Sequence, residues 1–200
     1  AFINIGHEKD AFIHYLDLGA NYRSLDKLVS SHLPGKRSLR VEAMKLEQPL
    51  EKEGRIGDHL KVGDLVMVQI AKEAISTKGP RLTADISLAG RNVVLVPFSS
   101  KVFVSTKIRS NAAKKRLRKV AQEVLPPNFG VIIRTAAADA EDIDIMQDIL
   151  SLVERWNTTL AAISKSEAPA RLMSEMSRVN TIIRDSLNDT FSQIMVDDET

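Results

Sequence analysis

Arg134 and Thr135 stand where an apolar run, Val131–Ile133, gives way to the small residues Ala136–Ala138. A planar guanidinium with five donors, beside a hydroxyl and backbone N–H groups at a strand end, suits a terminal phosphate. The alternative is an edge arginine paired with a carboxylate such as Asp139. Upstream, Lys78 and Arg81 flank Gly79–Pro80, a turn signature that puts both cations at a hairpin tip. There they either hold phosphates or stand in solvent. Phe2, Phe12 and His14 fall on one strand face by period-two alternation, and Ile3, Ile5 and Ile13 on the other. An exposed aromatic pair on a barrel face is a platform for unpaired bases. Packing beneath the next loop is the other reading, and composition does not separate the two.

Charge points the same way. Residues 61–120 carry thirteen Lys/Arg against three Asp/Glu, or +10, while the whole chain is only +2, so the remainder carries −8. An asymmetry of this kind marks a polyanionic partner. The basic face Lys114–Lys119 reads as solvated helix surface that adds non-specific attraction. The acids Asp139, Glu141, Asp142, Asp144 and Asp148 read as a helix start favoured by the helix dipole, not as a metal site. With no cysteine, disulfides and thiolate metal centres are excluded, which fits a reducing cytosol. Of the four histidines only His14 has a functional context, and no Ser–His–Asp spacing, Walker loop or GxGxxG occurs. No catalytic residue and no metal ligand is therefore assigned within the chain.

These side chains need elements to position them. Residues 1–14 read as two short strands around a polar turn, and 15–60 as a long, partly mobile loop with one short helix at most. Val66–Ile70 and Leu82–Leu88 alternate as strands. Asn92–Val96 and Val102–Val104 are strands, Asn111–Leu125 a helix stopped by Pro126–Pro127, and Gly130–Arg134 a buried strand. Asp139–Ile163 is a long helix with an apolar stripe at Met146, Ile149, Leu150, Val153, Trp156 and Leu160. Asn180–Leu187 reads as a helix and Gln193–Val196 as a strand. Two hundred residues allow one or two domains, and no apolar run approaches the roughly 20 residues that span a bilayer. Both ends read as cuts through a larger protein.

AFINIG followed by AFIHYLDL resembles the S1-type RNA-binding OB-fold. GDLVMVQIAKE, TKGPRLTADISLAG, LPPNFGVIIRTAA and SRVNTIIRDSL are similar to the ribonuclease E/G family of bacterial endoribonucleases, collinearly over nearly the whole chain and nearest to its ribonuclease G-like branch. The resemblance implies an α+β protein: residues 1–84 an incomplete S1-type barrel, 85–179 an α/β 5′-sensor domain, and 180–200 the return into an RNase H-like domain. Phe2, Phe12 and Lys78 fall where the family contacts single-stranded RNA, with His14 and Arg81 beside them. Gly90, Val94, Arg134 and Thr135 fall where it binds a 5′-terminal monophosphate. Where the family has a basic pair after the sensor's second strand, this chain has Thr106–Lys107, so one cation is lost. The family's Mg²⁺-binding aspartates and zinc cysteines belong to regions downstream of this one.

The expected function is thus the RNA-binding and 5′-monophosphate-sensing part of a single-strand-specific endoribonuclease in RNA processing and decay. The parent enzyme would be cytoplasmic, Mg²⁺-dependent and homo-oligomeric, with no membrane partner; this part would be inactive alone. A stand-alone S1-type RNA-binding module without 5′-end sensing is the alternative. A third reading is a structural piece making oligomer contacts through the helix at 139–163.

Overall fold

The computed structural model describes residues 1–76, 78–174, 181–183, 186, 190–193 and 195. Half of the expected helix at 180–187 and half of the expected strand at 193–196 lie outside these. The architecture is mixed α+β, with two four-stranded sheets joined through one apolar core.

The first sheet contains β1 (Phe2–Ile3), β2 (Ala11–Phe12), β3 (Gln69–Lys72) and β4 (Arg81–Thr83) in the order β1-β2-β4-β3. β1 and β2 form an antiparallel hairpin, and β2 then runs parallel to β4. A parallel pair needs a long crossover, and residues 15–60 lie within it. They contain the one short helix allowed for them, and it ties the stretch to the core. A 3₁₀ turn at Tyr15–Leu18 leads to helix α1 (Tyr22–Ser31), which buries Tyr22, Leu25, Leu28 and Val29. Val41 and Met44 are buried after it. One apolar stripe on one short helix is enough to anchor a segment that is otherwise hydrophilic.

The two alternating runs also shift. The strand expected at Val66–Ile70 forms later, as β3, because its partner is β4 in the register Gln69↔Thr83 and Ile70↔Leu82. The run Leu82–Leu88 is divided. β4 ends where the Thr83 hydroxyl donates to the Asp17 carbonyl (2.8 Å) and the Asp85 N–H donates to the Thr83 hydroxyl (3.0 Å). Leu88 and Ala89 then form β5, in the second sheet.

That sheet adds β6 (Val93–Pro97), β7 (Val102–Val104) and β8 (Phe129–Ile133) in the order β5-β6-β8-β7. Helix α2 (Asn111–Val124) is the crossover between parallel β7 and β8. Its N-terminus is capped by the Ser110 hydroxyl, which accepts from the Ala113 N–H at 3.2 Å. Helix α3 (Asp142–Ile163) starts three residues later than the expected Asp139, and a separate 3₁₀ turn at Thr135–Ala138 precedes it. Val93, Leu95, Val131 and Ile133 point into the core against Leu117, Ile149 and Trp156. β8 is not buried throughout: Ile132 faces outward and is 43% exposed. No helix among the described residues is long and apolar enough to cross a membrane.

Candidate nucleic-acid interface

Phe2 pairs with Phe12 across β1 and β2, Phe12 with Arg81 across β2 and β4, and Arg81 with Lys72 across β4 and β3. Directly paired residues share a face. The outer face of the first sheet therefore carries the row Phe2–Phe12–Arg81–Lys72. Phe2 is 80% exposed, and Phe12 meets His14 edge to face with ring centres 5.6 Å apart. The 15–60 segment does not cover Phe2; its buried residues join the core that holds Ala11, Ile13 and Leu82. Aromatic faces beside cations are suited to unpaired bases on a phosphate backbone.

Within this row Arg81 is committed. Its Nε and Nη2 donate to the two carboxylate oxygens of Asp17 at 3.0 and 2.8 Å. The fork holds the Asp17 carboxyl below its usual range, helped by the His14 N–H, and holds the guanidinium above its own. The hairpin-tip placement expected for Arg81 is thus corrected: it is a strand residue in a structural ion pair. Lys78 does lie at the tip, exposed, bridging to Ile75 through both backbone groups. Gly79 is there because a Cβ would lie 2.1 Å from the Asp10 carbonyl oxygen. The tip thereby packs against the β1–β2 turn, where Lys9 Nζ donates to the Ser76 carbonyl at 2.6 Å.

The second group gathers at one end of the second sheet. The Arg134 N–H continues the ladder onto the Asn92 carbonyl at 2.8 Å, and its Nη1 donates to the carbonyls of Gly90 (2.7 Å) and Arg91 (3.3 Å). The main-chain carbonyls of Gly90 and Arg91 thus help to orient the guanidinium. The exposed Thr135 hydroxyl lies 3.1 Å from that of Ser105, which also accepts from the Lys107 N–H at 3.3 Å. Val94 is half-buried and pairs directly with Ile132. Gly90 has a structural cause of its own: a Cβ would lie 2.3 Å from Asp148 Oδ1. That carboxylate accepts from the N–H groups of Asn92 (2.7 Å) and Val93 (3.2 Å), so it cannot easily move aside.

Two residues read as surface are structural. Asp148 clamps the β5–β6 turn rather than serving the helix dipole. Arg116, read as part of a solvated face, is half-buried: it donates to the carbonyls of Ala138 and Ala140 and pairs with Asp142. Ser105 was missed, since a lone serine at a strand end carries no periodic signal. Among the described residues, no three His, Asp or Glu side chains converge to hold a metal ion.

Residues 87–200 match the Ribonuclease E/G family. Ribonuclease E of Synechocystis sp. is 31% identical over 198 residues, covering 98% of this chain and 26% of that protein. Ribonuclease G of Haemophilus influenzae is 30% identical over 197 residues, covering 98% of this chain and 36% of that one. The chain belongs to the ribonuclease E/G family. It spans between about a quarter and a third of the length of these ribonuclease E/G relatives. The RNase P protein of Staphylococcus aureus shares 18% identity and a TM-score of 0.30 over 34% of this chain and 75% of its own, a likeness too slight to carry a shared fold.

Proposed function

We propose that this chain is the RNA-binding and 5′-end-sensing part of a single-strand-specific endoribonuclease acting in RNA processing and decay. On this reading residues 1–84 are an S1-type RNA-binding unit, 85–179 a 5′-sensor domain, and 180–200 the start of an RNase H-like segment. The observation that carries it is the grouping of Arg134, Thr135 and Ser105 at one sheet end, in a member of the ribonuclease E/G family. A guanidinium at the same sheet end as two hydroxyls offers donors suited to a terminal phosphate monoester. The Phe2–Phe12 face with Lys78 would hold the body of the RNA strand. The magnesium ligands are proposed to lie outside this chain, so the chain alone binds RNA and leaves it uncut.

The test compares 5′-monophosphorylated and 5′-hydroxyl oligoribonucleotides for wild type, Arg134→Ala and Thr135→Val. Charge-assisted hydrogen bonds contribute about 1.5–3 kcal/mol, so Arg134→Ala should cost roughly ten- to a hundredfold with the monophosphate. It should cost little with the hydroxyl. Equal binding of both oligonucleotides by wild type would leave a plain RNA-binding module in place of the sensor.

A further inference from the structure

Helix α2 carries a charge pattern that its own stability does not ask for. Residues 86–122 contain nine Lys/Arg and no Asp or Glu, and five of the nine fall within Lys114–Lys119. Lys114 with Arg118, and Lys115 with Lys119, are like charges at i,i+4, a spacing that destabilises a helix. The first turn of α2 has no acid, although the positive end of a helix favours one. Helix α3 follows that rule, with Asp142 and Asp144 in its first turn. A local rule kept in one helix and broken in its neighbour is expected at a functional surface.

What these cations touch divides them. Arg116 is committed to the Ala138 and Ala140 carbonyls and to Asp142. Lys119 reaches Glu123 at 3.9 Å. Among the described residues, no carboxylate lies within ion-pair distance of Lys107, Arg109, Lys114, Lys115 or Arg118. Leu117, Val120 and Ala121 are buried, so helical geometry makes Asn111, Lys115, Arg118 and Gln122 the ridge opposite them. Lys114 and Lys119 flank that ridge. Lys107 and Arg109, both exposed, extend it past the Ser110 cap. Because α2 packs on the core side of the second sheet, the ridge faces away from that sheet's outer face.

We propose that this ridge binds the backbone of an RNA duplex, with Lys107, Arg109, Lys114, Lys115 and Arg118 meeting its phosphates. A lipid surface is disfavoured, because the apolar face of α2 is packed in the core and none is left to enter a bilayer. Unpaired bases are disfavoured too. No aromatic residue lies between Ser105 and Gln122, so the ridge has no ring for a base to stack on. Duplex RNA hides its bases and is held through phosphates and 2′-hydroxyls, by shape more than by sequence. A rigid helix with fixed rows of cations, and the amides of Asn111 and Gln122 between them, offers contacts of that kind. The surface is separate from the Phe2–Phe12 face and from the strand-end site, and it does not depend on the 5′-phosphate reading.

The experiment uses the 200-residue chain and a blunt-ended RNA duplex with 5′-hydroxyl termini, which offers no unpaired base and no terminal phosphate. A 5′-hydroxyl single strand of the same length is the comparison. Lys115→Ala/Arg118→Ala should weaken duplex binding roughly ten- to a hundredfold at low salt. It should also flatten the dependence of log affinity on log salt by about 1.8, two contacts at the value for a nucleic-acid duplex. Binding of the single strand should change only slightly. The double variant removes both like-charge pairs, so its melting temperature should hold or rise, which separates a lost contact from a lost fold. A duplex that wild type does not bind, or that the double variant binds equally well, overturns the proposal. A single strand weakened as much as the duplex overturns it as well, and leaves α2 a general cationic surface.

Discussion

At the scale of single residues, charged groups in this chain divide into those spent on structure and those exposed at the surface. Asp17 is spent. Its carboxyl is held below the usual range chiefly by the Arg81 hydrogen bonds. A carboxyl depressed in the folded state adds stability above the ordinary carboxylate pKa, about 4, and that stability is lost as pH falls through the depressed value. Wild type should therefore melt above Asp17→Asn at neutral pH, and the gap should close on acidification below about pH 4, read by circular dichroism. A gap that is independent of pH would mean the ion pair is not its source. Gly90 makes a second case. Gly90→Ala should lower the melting temperature, because its Cβ meets the Asp148 carboxylate. The same change in an Asp148→Ala background should cost measurably less, a coupling that a double-mutant cycle reads directly. Loss of RNA binding without loss of stability in Gly90→Ala would point to the nucleotide instead.

At the scale of elements, the 15–60 segment is the largest departure from its own sequence pattern. Its polar composition suggests a loop, yet it is a strap between the two sheets. The anchor is Asn128, just before β8, whose Nδ2 donates to the carbonyls of Val41 and Met44, each at 2.8 Å. Asn128 has φ 63°, a left-handed conformation that asparagine tolerates better than most residues. Asn128→Ala should thus lose two hydrogen bonds and add backbone strain, for roughly 1–3 kcal/mol in chemical denaturation. Asn128→Gly should recover the strain and not the bonds. Equal loss in the two variants would assign the whole effect to the side chain.

At the scale of the molecule, charge is distributed so that thirteen cations and three acids fall within residues 61–120. RNA affinity should fall linearly with the logarithm of salt concentration. Removing one phosphate contact, as in Lys78→Ala, should flatten that slope by about 0.7. Phe12→Ala, by contrast, should weaken binding about five- to a hundredfold at every salt concentration and leave the slope unchanged, because stacking releases no counterions. A slope that changes with Phe12 and not with Lys78 would reverse the roles given to them.

The sequence by itself determined what depends on neighbours along the chain. Period-two alternation separated Phe2 and Phe12 from the isoleucines, helical periodicity marked α2 and α3, and the collinear motifs from GDLVMVQIAKE to SRVNTIIRDSL carried the resemblance to the family. Tertiary structure decided what depends on partners far along the chain. Whether Arg81 is free was settled by Asp17, 64 positions away, and the orientation of Arg134 by the carbonyl of Gly90, 44 positions away. The division of Leu82–Leu88 between two sheets and the burial of α1 were likewise set by what each strand and helix found to pack against. Local periodicity records which face of an element is apolar; it does not record which distant residue will meet that face.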